Sequence, residues 1–95
     1  MAAYLIADVQ VTDPDLYEDY RSRVPALIAA YGGRYLVRGG RVERLEGDAN
    51  PQRVVVLEFP TMARLRAFYE SAEYRALIAI RQRSARSSLF AVEGL

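Results

Sequence analysis

The chain has 95 residues, 52% of them hydrophobic, with 13 Arg, 12 acids, a net charge of +1 and no Cys, His, Lys or Trp. This excludes disulfides, thiol nucleophiles, His-based triads, the usual zinc sites, Schiff bases and a P-loop lysine. Carboxylate, phenol, hydroxyl, guanidinium and backbone remain, and a charge near zero gives no general pull toward nucleic acid or an anionic membrane.

Residues 3–11 read as a strand. Leu5, Ala7, Val9 and Val11 share one face, and Tyr4, Ile6, Asp8 and Gln10 the other. Asp13-Pro14 then predicts a helix start, with Asp as N-cap and Pro at the first helical position. Leu16, Tyr17, Tyr20, Val24, Leu27, Ile28 and Tyr31 recur at helical spacing as one apolar stripe. Pro25 falls inside that pattern and predicts a kink or break near Arg21 to Val24. Gly32-Gly33 supplies the stop.

Residues 34–38 form the second strand. Gly39-Gly40 predicts a bulge, after which Arg41 to Leu45 has the composition to continue the strand. Residues 46–51 are a polar turn, and the β-branched run 53–59 suits a central strand. Thr61 caps the second helix. Ser71 predicts a break and restart, and Tyr74, Leu77 and Ile78 continue the buried stripe. Residues 88–93 are the last strand.

The order β-α-β-β-α-β predicts an α+β, ferredoxin-like domain spanning residues 1–95. Its four-stranded antiparallel sheet would carry the helices on one face. By the period of two, the other face holds Tyr4, Ile6, Asp8 and Gln10, then Leu36 and Arg38, then Val54, Val56 and Glu58. That face is too apolar for water. Two such sheets packed together would bury it, so the expectation is a homodimeric α/β barrel.

Tyr31-Gly32-Gly33-Arg34-Tyr35-Leu36-Val37-Arg38-Gly39-Gly40, Leu45-Glu46-Gly47, Val55 to Pro60 and Phe68 to Tyr74 occur in order along the chain. Together they resemble the domain-of-unknown-function family thirteen-thirty. The resemblance covers nearly the whole sequence and implies a ferredoxin-like protomer in a dimeric α/β barrel. It implies no activity. Thr61 stands where the family often has Ser, and Ala72 where it often has Pro. The wider superfamily includes cofactor-independent monooxygenases, haem-handling enzymes and lactone isomerases, an analogy of fold alone. Haem handling fits poorly without a His ligand.

Three sets of residues are candidates for chemistry. Asp8, Arg38 and Glu58 are expected to converge on the barrel face, the carboxylates as base or acid and Arg38 as contact for a small organic anion. The plainer alternative is an Arg38–Glu58 pair holding a dimer together. Tyr20 and Tyr74, of the set Tyr17, Tyr20, Tyr69 and Tyr74, are expected near a pocket between helices and sheet, as hydroxyl donors or as core residues. Glu46, before Gly47, is a candidate ligand contact or a turn stabiliser. Arg81, Arg83 and Arg86 read as a solvated helix end.

No glycine-rich phosphate loop, calcium loop or metal-ligand pattern is present in the sequence, so no cofactor or metal is expected. No nucleic acid or membrane partner is expected either. The N-terminus lacks the pattern of a signal peptide, and the expected location is the cytoplasm. The function expected is that of a small-molecule-binding dimer, with or without cofactor-independent proton transfer or oxygenation. A non-catalytic dimeric module is the alternative.

Overall fold

The computed structural model describes all 95 residues, Met1–Leu95. The elements are β1 (Ala3–Val11), α1 (Pro14–Ala30), β2 (Arg34–Arg38), β3 (Val54–Phe59), α2 (Met62–Tyr69), α3 (Ala72–Ser84) and β4 (Ala85–Glu93). The strands form one antiparallel sheet in the order β2-β3-β1-β4. With the helices packed on one face, this is the ferredoxin-like α+β fold.

Each helix begins as its sequence dictates. The Asp13 carboxylate accepts from Leu16 N–H, the Thr61 hydroxyl from Arg64 N–H and the Ser71 hydroxyl from Tyr74 N–H. Ser71 therefore divides the second helical stretch into α2 and α3, as its capping chemistry predicts. At the end of α1, Gly32 takes a φ of +81°, and the N–H groups of Gly32 and Gly33 bond back to Ala29 and Ile28.

The core lies between the helices and one sheet face. Ala3, Leu5, Ala7 and Val9 of β1 and Leu57 and Phe59 of β3 are buried against Tyr17, Tyr20, Val24 and Ile28 of α1, with Leu65, Phe68, Tyr74 and Leu77 from α2 and α3. The opposite face carries Tyr4, Ile6, Asp8, Val54, Val56 and Glu58 beside Phe90 and Val92 of β4. Nothing in the protomer covers it: Phe90 is 60% exposed and Val92 46%.

Four features differ from the sequence reading. First, α1 runs unbroken through Pro25. Proline has no N–H for the carbonyl of Arg21, four residues back. Arg38 Nη2 donates to that carbonyl instead, at 3.1 Å. Second, the bulge falls at Leu36, not at Gly39-Gly40. Tyr35 opposes Leu57, yet Val37 opposes Val56, so Leu36 is the extra residue and the side chains beyond it change face.

Third, residues 41–45 form no strand. Gly39 turns the chain out of β2 at φ +70°, with its N–H bonded to the Val54 carbonyl, and residues 40–50 are all exposed. Fourth, β4 begins at Ala85, three residues earlier than read, directly from α3. Val11 pairs with Ala85 there, and the Ser84 carbonyl accepts from Thr12 and Asp13 N–H.

The tight joint at the end of α1 predicts a contrast between two glycines. A Cβ at Gly33 would lie 2.6 Å from Phe59 and 2.8 Å from Ile28, both in the core, whereas one at Gly40 meets nothing within 4 Å. Gly33→Ala is expected to cost about 1–3 kcal/mol by overpacking. That lowers the midpoint of thermal unfolding by about 4–8 °C per kcal/mol. Gly40→Ala should move it little. Equal midpoints for the two variants would contradict the packing described.

Candidate functional site

The most unusual side chain in the core is Arg81. It lies on α3 two helical turns after Tyr74, so both project from one face. It is only 4% exposed. Its Nη1 donates to the Tyr74 hydroxyl at 2.6 Å, and that hydroxyl is 2.8 Å from the hydroxyl of Tyr20 on α1. The guanidinium carbon sits 5.9 Å from the ring centres of both tyrosines, within cation–π range. The Nε of Arg81 is buried and has no partner.

Arg81 borders a cavity of about 40 Å³ between α1, α3 and the sheet. Arg53 and Arg38 also line it. Arg53 has a buried, unpartnered Nε, and Arg38 is the exposed member, with its guanidinium 4.6 Å above the Tyr35 ring. No Asp or Glu lines this cavity; a fourth lining arginine, Arg21, is paired with Glu18 at 2.8 Å, and Arg81, Arg53 and Arg38 have no carboxylate within ion-pair distance. Burial holds the phenols of Tyr74, Tyr17 and Tyr35 above their ordinary range, with Tyr20 adding to all three. At neutral pH these phenols are uncharged hydrogen-bonding groups. The lining is mostly apolar, and its charged and hydroxyl-bearing side chains are arginines and tyrosines, with no carboxylate among them.

The family model for the domain of unknown function DUF1330 matches residues 2–95. The chain belongs to the DUF1330 family. No curated protein matches it significantly. Among solved structures, RPA0582 of Rhodopseudomonas palustris, a protein of unknown function, is similar at 21% identity and a TM-score of 0.76, over 99% of this chain and 82% of that one. SnoaB of Streptomyces nogalater, a cofactor-independent oxygenase, matches at 12% identity and a TM-score of 0.63, over 99% and 93%. A dimeric ferredoxin-like protein of unknown function from Jannaschia sp. CCS1 matches at 12% and 0.66, over 99% and 100%. At these identities the likeness is one of fold.

In this DUF1330 chain the residues singled out by sequence do not form one site. Tyr20 and Tyr74 meet at the cavity, as the helical spacing implies. Arg38 also reaches it, but from the helix side, because the Leu36 bulge turns it away from the open sheet face. The expected convergence of Asp8, Arg38 and Glu58 therefore does not occur. Asp8 and Glu58 stay on the open face. Asp8 accepts from the backbone N–H of Gln52 at 2.9 Å. Glu58 pairs with Arg34, not Arg38, at 2.7 Å. The Arg34 hydrogen bond, with the Tyr4 hydroxyl adding to it, holds the Glu58 carboxyl below its ordinary range. Glu46 lies in the exposed 40–50 segment, away from the cavity.

Sequence reasoning missed Arg53 and placed Arg81 in solvent. The signal for Arg81 was available. It stands four residues after Leu77 and seven after Tyr74, on the buried stripe. For Arg53, which precedes β3, no comparable signal exists.

The Arg81–Tyr74–Tyr20 contacts predict unequal effects of two conservative changes. Tyr74→Phe removes the only hydrogen-bond acceptor of a buried cation and should cost about 1–3 kcal/mol. Tyr20→Phe leaves that acceptor in place and should cost about 0.5–1.5 kcal/mol. Chemical denaturation of both variants checks the ranking. A Tyr20 variant as damaged as the Tyr74 variant would show that the acceptor role is not what matters.

Proposed function

We propose that this protein is a homodimer that binds a small organic anion, charged end inward, in the cavity between α1, α3 and the sheet. The observation that carries the reading is Arg81, 4% exposed, with an unpartnered Nε and no carboxylate nearby. A buried cation without a counter-ion is costly, and an anion that reaches it repays the desolvation already incurred. Arg53 adds a second unsatisfied donor. Tyr20 and Tyr74 supply hydroxyls beside them.

The space at the bottom is about 40 Å³, enough for a water or a small group such as a carboxylate or phenolate oxygen. The rest of the ligand would extend past Arg38, whose hold on the Arg21 carbonyl is an exposed hydrogen bond that can open. The homodimer rests on the uncovered apolar sheet face. The dimeric ferredoxin-like neighbour gives the same fold a precedent for assembly. Sedimentation at micromolar concentration should show a dimer, and a monomer alone would remove that part of the proposal.

A second reading adds cofactor-independent oxygenation of the bound anion. One observation favours it over carboxylate-driven proton abstraction: Asp8 and Glu58 lie on the far side of the sheet from Arg81, so the cavity has no carboxylate base. Its buried cation and phenols instead suit stabilisation of an oxyanion. SnoaB gives that chemistry a precedent on this fold. Without turnover, the same cavity makes a non-catalytic binding module.

Thermal shifts against a panel of carboxylates, keto acids and phenols test the binding reading. A true ligand at about 100 times its Kd stabilises by about 2.7 kcal/mol. In a domain of this size that raises the midpoint by roughly 10–20 °C. Arg81→Met should abolish the shift and leave the unliganded midpoint within about 4–8 °C of wild type, a change of roughly 1 kcal/mol. Arg38→Met, at the mouth, should weaken binding without abolishing it. A shift that survives Arg81→Met would sink the proposed site.

A further inference from the structure

The segment between β2 and β3 stands exposed on its own protomer. Residues 40–50 are all exposed, and a Cβ at Gly40 or Gly47 would meet nothing within 4 Å. Within it Leu45 is 95% exposed. Beside it Glu46 has no ion-pair partner, whereas Glu43 is held by Arg41 at 3.1 Å. A single exposed leucine is ordinary. A leucine next to a free carboxylate in an exposed segment, or arm, makes a compact recognition element.

A matching surface lies at the other edge of the sheet. Between α2, α3 and β4 is an open groove of about 540 Å³. Leu65, Tyr69, Ile78 and Phe90 give it an apolar floor, and Arg66 and Arg75 stand at its rim. Arg66 is held by Glu70 at 3.6 Å, while Arg75 has no carboxylate partner. The groove offers an apolar slot beside one free cation, and the arm offers an apolar side chain beside one free anion.

We infer that the arm of one protomer docks in this groove on a second copy of the same chain, with Leu45 in the slot and Glu46 paired to Arg75. The inference rests on the homodimer proposed above. If two open sheet faces pack about a two-fold axis along the strands, the β2 edge of one sheet lies over the β4 edge of the other. The sheets would be about 10 Å apart. An extended strand of chain covers about 3.3 Å per residue, so the seven residues from Arg38 to Leu45 span up to roughly 23 Å. The arm is long enough to pass around the partner's β4 edge. Phe90 continues the same surface, since it lines the groove and pairs with Ile6 on the open face. The own arm leaves from β2, at the opposite edge of the sheet.

The absence of native cysteine makes the test clean. In a Leu45→Cys/Ile78→Cys double variant, mild oxidation should convert most of the protein to a covalent dimer on a denaturing gel. Each single variant should stay a monomer there. Adding Glu46→Arg should lower the cross-linked fraction several-fold, and adding Arg75→Glu as well should restore it. A protein that sediments as a dimer but forms no covalent dimer, or closes the disulfide within one chain, overturns arm docking while leaving the homodimer standing. An unchanged fraction after Glu46→Arg overturns the Glu46–Arg75 pairing. A monomer in sedimentation overturns both the homodimer and the docking.

Discussion

A guanidinium that has lost its water must find acceptors, and Arg81 finds only one. Its Nη1 bonds the Tyr74 hydroxyl, which in turn meets Tyr20 on the neighbouring helix. The contact joins α3 to α1 across the top of the sheet, so the helix pair is fastened through the same group that faces the cavity. Stability alone gives little reason for this choice. An apolar side chain of similar size would fill the space without a desolvation cost. The unpartnered Nε is the part of Arg81 that its role in the fold leaves unexplained, and an oxygen in the adjoining cavity, of a water or a bound molecule, would satisfy it.

Two local irregularities bring Arg38 to the same place. Pro25 leaves the Arg21 carbonyl without its helical donor. The Leu36 bulge turns Arg38 toward the helices, where its Nη2 supplies the missing hydrogen bond. Each irregularity would cost something alone. Together they offset one another: the bulge supplies a donor, and the proline supplies an acceptor on the helix that β2 runs beside. The result is an arginine at the cavity mouth with an exposed, breakable tether. Its cation–π contact with Tyr35 keeps it there without an ion pair.

Most of the fold was legible because it rests on local signals. Asp13, Thr61 and Ser71 act as caps, Gly32 ends α1, and the period-two alternation of β1 sorts its residues correctly. The β-α-β-β-α-β order then leaves few topologies. The candidate site was only half legible, for a specific reason. Tyr20 and Tyr74 follow helical spacing, which the sequence displays. Arg38 depends on the parity of β2, and a bulge changes parity while leaving composition unchanged. Gly39-Gly40 looked like the place for that bulge, but Gly39 is used to leave the strand. Arg81 reads as solvent-exposed only if its charge is weighed above its position. Its spacing from Tyr74 and Leu77 put it on the buried stripe, and a lone arginine at a buried position is the stronger functional signal.

Near-neutral composition concealed how the charges are divided. Carboxylates of this chain lie on the open sheet face, on helix surfaces and along the 40–50 arm; none lines the cavity. Those on the sheet face are already occupied, Asp8 by a backbone N–H and Glu58 by Arg34. The cavity therefore keeps a local positive field that a net charge of +1 does not reveal. Separation of this kind has a consequence for chemistry as well as for binding. A ligand anion in the cavity meets no competing carboxylate, but it also meets no base. A proton lost by a substrate bound there would have to pass to solvent, since no carboxylate of the chain lines the cavity.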